Sequence, residues 1–186
     1  MQTFAVYVDN RPGVLNRVAS LIRRRAFNIE SLTVGHTEKP GLSRMTIVVD
    51  TDERGARLVE ANLYKLIPVR RVDNITKLPQ IARDLALIKV AADGDARTQV
   101  MQLVDVYRAR IVDVSPESLV IETTGAEDKI DSLIEVLRPY GVIELVRTGR
   151  VAMARGGAGI TPDVSPRAPI KEEADLDDDS GDSGSV

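Results

Sequence analysis

Apolar residues along the first 155 positions alternate between two spacings. Phe4, Val6 and Val8 occupy every second position, which is typical of a strand with one buried face. Residues 14–22 then carry apolar side chains at the i, i+4 and i+7 spacing of an amphipathic helix. Continued in this way, the pattern of the first half predicts strand 4–8, helix 14–22, strands 27–34 and 42–49, helix 56–66 and strand 69–75.

The same order of spacings returns in the second half of the chain. It predicts strand 85–90, helix 100–107, strands 111–114 and 119–121, helix 130–137 and strand 142–146. Each half is therefore a predicted βαββαβ unit. The fold class that follows is α+β, with two ferredoxin-like units, each an antiparallel four-stranded sheet with two helices on one face.

The second face of such a sheet needs a cover. Tyr7, Leu32 and Val48 cannot all point toward the helices of the first unit. We therefore expect the free face or an edge of the sheet to be buried by the other unit or by a second chain. A homodimer follows as a hypothesis.

Charge divides the chain at about residue 156. Residues 156–186 contain eight acidic and two basic side chains, three prolines and no aromatic residue, although the whole chain has a net charge of only −3. A segment of this composition cannot bury enough apolar area to offset its ordering entropy. The predicted organisation is an N-terminal domain at 1–77, a C-terminal domain at 82–155 and a disordered acidic tail at 156–186.

Composition excludes several kinds of chemistry. The 186 residues include no cysteine and one histidine, which removes disulfides, thiolate metal sites and cysteine nucleophiles. His36 has no second histidine or any cysteine to join it, so we expect it to face solvent. The N-terminus has no targeting pattern and no apolar run is long enough to span a membrane, which predicts a cytoplasmic protein.

The turn at residues 9–13 is the first candidate site. Gly13 has no side chain to block a ligand, and the amides of Val14 and Leu15 would be free donors at the positive end of a helix dipole. Asn10 adds an amide, and Asn28 lies beside the same turn if the two strands are neighbours. The arrangement suits a zwitterion, but the pattern alone favours the simpler interpretation, in which Asn10 only caps the helix and Gly13 only allows a bend.

Over about residues 1–155 the chain resembles a known family. Several separate motifs in the same order resemble the small, regulatory subunit of acetolactate (acetohydroxyacid) synthase, a member of the ACT domain family. The motifs are Asn10-x-Pro12-Gly13, residues 28–34 (NIESLTV), 42–47 (LSRMTI), 83–90 (RDLALIKV) and 147–150 (RTGR).

The resemblance implies a non-catalytic subunit with an N-terminal ACT domain and a C-terminal ACT-like domain. It implies that valine or another branched-chain amino acid binds at an ACT–ACT dimer interface. It also implies a large catalytic subunit that holds thiamine diphosphate, magnesium and FAD, none of which belongs to this chain. The family's effector-binding positions correspond to Asn10, Gly13, Val14, Leu15, Asn28 and Ile29.

Two other classes of function are compatible with a fold of this kind. RNA-binding domains of similar fold stack bases on aromatic side chains of the central strands, and residues 43–49 contain none. A free-standing tandem ACT sensor that regulates another enzyme or a transcription factor fits residues 1–76 equally well. Only the resemblance of the second half favours the synthase, and no catalytic residue, metal site, nucleic acid or membrane is expected for this chain.

Overall fold

The computed structural model describes residues 1–156, which form two units of alternating strands and helices. In the first unit the amphipathic patterns become two helices that pack on one face of a sheet. Its elements are β1 (Gln2–Asp9), α1 (Val14–Arg24), β2 (Asn28–His36), β3 (Leu42–Asp50), α2 (Glu53–Leu63) and β4 (Val69–Asn74).

The first sheet is antiparallel with the strand order β2-β3-β1-β4. Phe4, Val6 and Val8 of β1 are at most 1% exposed and pack with α1 and α2 in one apolar core. Strand β2 lies at an edge of the sheet, and none of its residues is fully buried. A register shift between Ile29 and Ser31 marks a bulge at Glu30.

The second unit repeats the βαββαβ order and adds a strand. The elements of this unit are β5 (Gln80–Ala91), α3 (Gly94–Val106), β6 (Arg110–Val114), β7 (Ser118–Gly125), α4 (Glu127–Leu137), β8 (Val142–Arg147) and β9 (Val151–Ala154). A short 3₁₀ turn, Arg138–Tyr140, precedes β8.

The α+β class and the two ferredoxin-like units are confirmed, and the second sheet differs from the prediction in one respect. Its four main strands have the order β6-β7-β5-β8, but β5 begins at Gln80, and its first four residues pair with the additional strand β9. Strand β9 was not predicted. The acidic tail predicted for residues 156–186 lies, apart from Gly156, outside the described residues.

The ribbon formed by β9 and the start of β5 covers the face of the first sheet that the helices leave open. Ala82 and Ala152 of this ribbon pack against Ala5 and Ile75. Arg44 on β3 donates to the carbonyl oxygen of Ala152 at 2.5 Å. The expectation that the other unit covers this face is therefore met for the first sheet.

No helix among the described residues has both the length and the apolar character that a membrane crossing requires.

Docking of the ribbon predicts different effects for two adjacent substitutions. Ala152 is 1% exposed and faces the first sheet, whereas Met153 is 66% exposed. Ala152→Asp places an unpaired carboxylate between the units and should lower the free energy of unfolding by at least about 2 kcal/mol. Met153→Asp should change it by less than about 0.5 kcal/mol. Urea unfolding measures both values, and equal effects would contradict this docking.

Candidate functional site

A buried ion pair at the end of β1 stabilises the turn between β1 and α1. Asp9 is 6% exposed and its Oδ1 accepts a hydrogen bond from Nε of Arg70 on β4 at 2.6 Å. The backbone N–H of Asp9 donates to the Pro68 carbonyl, and that of Asn10 donates to the Gly41 carbonyl, both at 2.9 Å. These bonds fix where β1 ends and where the turn begins.

Helix α1 begins without a side-chain cap. Gly13 is the N-cap residue, with φ 79° and ψ −7°, and no side chain accepts a hydrogen bond from the first turn. This left-handed conformation favours glycine. The alternative in which Asn10 serves as the helix cap is therefore wrong. A Cβ built on Gly13 would meet nothing within 4 Å, so the space in front of the helix is open.

The first turn of α1 presents free amide donors to this open space. The Val14 N–H makes only a long contact with the Arg11 carbonyl, at 3.4 Å, and among the described residues Leu15 N–H and Asn16 N–H have no acceptor. Free donors at the positive end of a helix dipole bind anions. Val14 takes part through its backbone alone, because its side chain is 5% exposed and belongs to the core, whereas the Leu15 side chain is 44% exposed.

Asn10 lies at the rim of this space beside His36, which was not among the predicted site residues. Its Nδ2 is 3.4 Å from Nδ1 of His36 at the end of β2. His36 is exposed, as predicted. With Nδ2 directed at His36, the Oδ1 oxygen of Asn10 is left to accept a hydrogen bond from a cationic ligand group. Nothing in the sequence indicates this contact, because it joins positions 26 residues apart.

Asn28 and Ile29 lie at the other end of the sheet. Asn28 pairs with Asp50, whereas Asp9 pairs with Leu42 at the far end of the same strand, β3. Strands rise about 3.3 Å per residue, so about 25 Å separates the two ends. Strand β3 lies between β1 and β2, so the condition under which Asn28 would lie beside the turn is not met within one chain.

The surroundings of Asn28 resemble those of Asn10 in one way. The Asn28 Nδ2 group donates to Oε1 of Glu30, so its Oδ1 is also left free to accept. Together with Ile29, Asn28 lines a shallow depression of about 460 Å³ beside the C-terminal end of α1. One chain therefore holds two candidate half-sites, the turn of residues 10–15 and the start of β2.

Across residues 1–156, no group of three or more His, Asp or Glu side chains could hold a metal ion.

Comparison with known proteins matches both units. The family model for the small subunit of acetolactate synthase matches residues 83–156, and the model for the ACT domain of proteins like the acetohydroxyacid synthase small subunit matches residues 4–71.

Individual proteins agree over most of the chain. The chain is 53% identical to a probable acetolactate synthase small subunit of Archaeoglobus fulgidus over 83% of its length and 96% of that protein. It is 46% identical to the acetolactate synthase small subunit of Mycolicibacterium smegmatis over 85% of its length and 93% of that protein. The crystal structure of the small subunit from Thermotoga maritima superimposes with a TM-score of 0.79 at 44% identity, covering 83% of this chain and 97% of that one.

The ion pair beneath the turn generates a prediction about stability. Arg70→Leu leaves the Asp9 carboxylate buried without its cation and should lower the free energy of unfolding by about 3 to 5 kcal/mol. Arg110, which is 78% exposed and pairs with Glu122, provides the matched control. Arg110→Leu should cost less than about 1 kcal/mol, because exposed ion pairs contribute little. Denaturant unfolding at one fixed protein concentration measures both, and similar losses would contradict the role given to the buried pair.

Proposed function

This chain belongs to the family of acetolactate synthase small subunits, and we propose that it activates a large catalytic subunit and makes that subunit sensitive to feedback inhibition by valine. The observation that carries the sensor role is the uncapped start of α1, where free amide donors face open space in front of Gly13. A carboxylate is the chemical group that such a place binds. We place thiamine diphosphate, magnesium and FAD in the large subunit, and the cytoplasmic location stays a prediction.

The proposed contacts involve all three groups of valine, which are its carboxylate, its ammonium group and its side chain. The valine carboxylate accepts hydrogen bonds from the amides of Val14 and Leu15. Its ammonium group donates to asparagine side-chain oxygens, and its isopropyl group contacts Ile29. Charge-assisted hydrogen bonds of about 1.5 to 3 kcal/mol each and a similar amount for the buried isopropyl group, less the ordering costs, correspond to a Kd of about 10 μM to 1 mM.

A homodimer through β2 brings the two half-sites together. Strand β2 is a nine-residue edge strand, and such an edge is a template for pairing with another strand. If two β2 strands pair antiparallel about a two-fold axis near Leu32, Asn28 of one copy lies opposite His36 of the other. His36 is the neighbour of Asn10, so the start of one β2 reaches the turn of the second chain. The proposed effector site is therefore shared between two copies.

The second unit favours this function over the alternative one. The first unit by itself is equally compatible with a free-standing tandem ACT sensor that regulates another enzyme or a transcription factor. The match of residues 83–156 to the acetolactate synthase small subunit favours the synthase as the regulated enzyme. Valine then inhibits by binding one arrangement of the assembly more tightly than another.

Charge at Gly13 tests the carboxylate-binding half of the site. Gly13→Asp places a carboxylate where the carboxylate of valine binds, and it should weaken valine binding at least tenfold, which corresponds to about 1.4 kcal/mol. Gly13→Asn is the matched control, since it has nearly the same size and tolerates the same positive φ without the charge. Calorimetric titration of each variant with valine measures the affinities, with a non-branched amino acid as a second control.

The same pair of variants separates binding from activation. Gly13→Asp should still activate the large subunit in an assay of acetolactate formation, but with inhibition by valine greatly reduced. If Gly13→Asp and the wild-type chain bind valine equally, the assignment of the site is wrong. If Gly13→Asn loses as much affinity as Gly13→Asp, the carboxylate is not the group that binds here.

A second substitution tests the β2 dimer. Val34 is 43% exposed on the edge strand, and in the proposed register it lies opposite Glu30 of the second copy. Val34→Asp sets two like charges against each other and should raise the dimer dissociation constant at least tenfold, whereas Val34→Thr should change it little. Sedimentation analysis over a range of concentrations measures both constants. A dimer that persists unchanged in Val34→Asp would show that β2 is not the interface.

A further inference from the structure

Residues 147–150, here called the connecting segment, link the second unit to strand β2 of the first. The backbone N–H of Arg150 donates to the side-chain oxygen of Ser31 at 2.7 Å. Gly149 lies directly against the same strand. A Cβ built on Gly149 would be 2.6 Å from Thr33 Oγ1 and 2.8 Å from the Leu32 carbonyl oxygen, closer than real Cβ atoms come to other atoms. Only glycine therefore allows the segment to lie this close to β2.

The two arginines of the connecting segment tie it to the second unit. Arg147 bonds Asp84 at the beginning of the β7-paired part of β5, with Nη2 2.7 Å from Oδ2, and its Nη1 donates to Asp131 on α4 at 2.7 Å. Arg150 forms an ion pair with Glu127 in the first turn of α4. Partial burial lowers the pKa of Arg147, but its bonds to Asp84 and Asp131 outweigh that effect and raise it. The segment cannot shift without moving α4 or breaking these bonds.

Strand β2 carries the effector half-site immediately before the contact with the connecting segment. Asn28 and Ile29 lie at its start, and Ser31 follows after the bulge at Glu30. A bulge changes the direction in which the following side chain points, so a small adjustment there moves Ser31 relative to β3. Groups that would contact valine and the group that binds Arg150 N–H are therefore two residues apart.

We propose that the connecting segment transmits occupancy of the effector site from β2 to helix α4 and so to the second unit. The inference rests on the proposed function, because it takes valine as the ligand that contacts Asn28 and Ile29. Its physical basis is a continuous path of close contacts: β2 touches Gly149 and bonds Arg150, and Arg150 and Arg147 hold α4. Close-packed contacts of this kind pass on a displacement that a loose linker would absorb.

Two substitutions break the path at the same point by different means. Gly149→Ala forces the segment away from β2, and Ser31→Ala removes the acceptor for the Arg150 N–H. Each has a matched control in the second unit. A Cβ on Gly125 meets only the flexible side chain of Lys129, and the Ser132 hydroxyl bonds only the Tyr107 hydroxyl at 2.7 Å on the helix side. Gly125→Ala therefore adds the same methyl group, and Ser132→Ala removes the same hydroxyl, at positions away from β2.

The experiment measures binding and its consequence separately, with the full chain and its large subunit. Calorimetry with valine gives the affinity of the chain alone and of the assembled enzyme, and an acetolactate assay gives the residual activity at saturating valine. Gly149→Ala and Ser31→Ala should bind valine within about threefold of the wild-type affinity as chains alone. Residual activity should rise at least about twofold, and the difference in valine affinity between chain and complex should shrink, because coupling is reciprocal.

The possible outcomes distinguish this inference from the proposed function. If both variants bind valine and are inhibited like the wild type, the connecting segment does not transmit the signal, while the sensor role stands. If Gly149→Ala does not fold, Ser31→Ala alone gives the result. If the two controls lose inhibition to the same extent, the effect is not specific to this path and the inference is overturned. If the wild-type chain and its complex do not bind valine, the proposed function fails, and this inference fails with it.

Discussion

A ferredoxin-like sheet buries one face under its own helices, and its second face must be covered from elsewhere. In the first unit the cover is the ribbon of β5 and β9, which the second unit supplies. Alanines at the contact, Ala82 and Ala152 against Ala5, let the two layers approach closely. The second unit therefore cannot move away as a body without exposing the first sheet. Among residues 1–156, the second sheet has no such complete cover on the face away from its helices. Leu87 and Val146, which are paired on that face, are 36% and 54% exposed.

The candidate site is made of groups that the fold leaves unsatisfied. Helix α1 has no cap, and the sheet ends in a long edge strand. Each feature costs stability in an isolated chain, because free donors and free edges are better satisfied by a partner. The apolar core and the buried Asp9–Arg70 pair hold the surrounding structure in place. A ligand carboxylate and a second β2 strand would complete what the chain alone leaves open.

Much of the fold could be predicted from spacing alone, and the failures have physical reasons. The alternation of Phe4, Val6 and Val8 identifies β1 because those side chains are the core. Strand β9 was not predicted because its four residues are too few to establish an alternation of apolar and polar side chains. The expectation for Asn28 failed within one chain because strands that follow each other in sequence need not be neighbours: β3 inserts between β1 and β2. The glycine turn before a helix could be recognised in the sequence, whereas the separation of Asn10 and Asn28 to opposite ends of the sheet could not.

In the proposed dimer one strand takes part in three events, and its position at the edge of the sheet is what permits this. Strand β2 would pair with a second copy, contact the effector and hold the connecting segment. A site shared by two copies makes effector binding and self-association linked equilibria, so each stabilises the other by the same free energy. A central strand such as β3, almost wholly buried, could not shift without disrupting the core. An edge strand with partly exposed side chains and a bulge shifts at lower cost, which is why regulation is best located there.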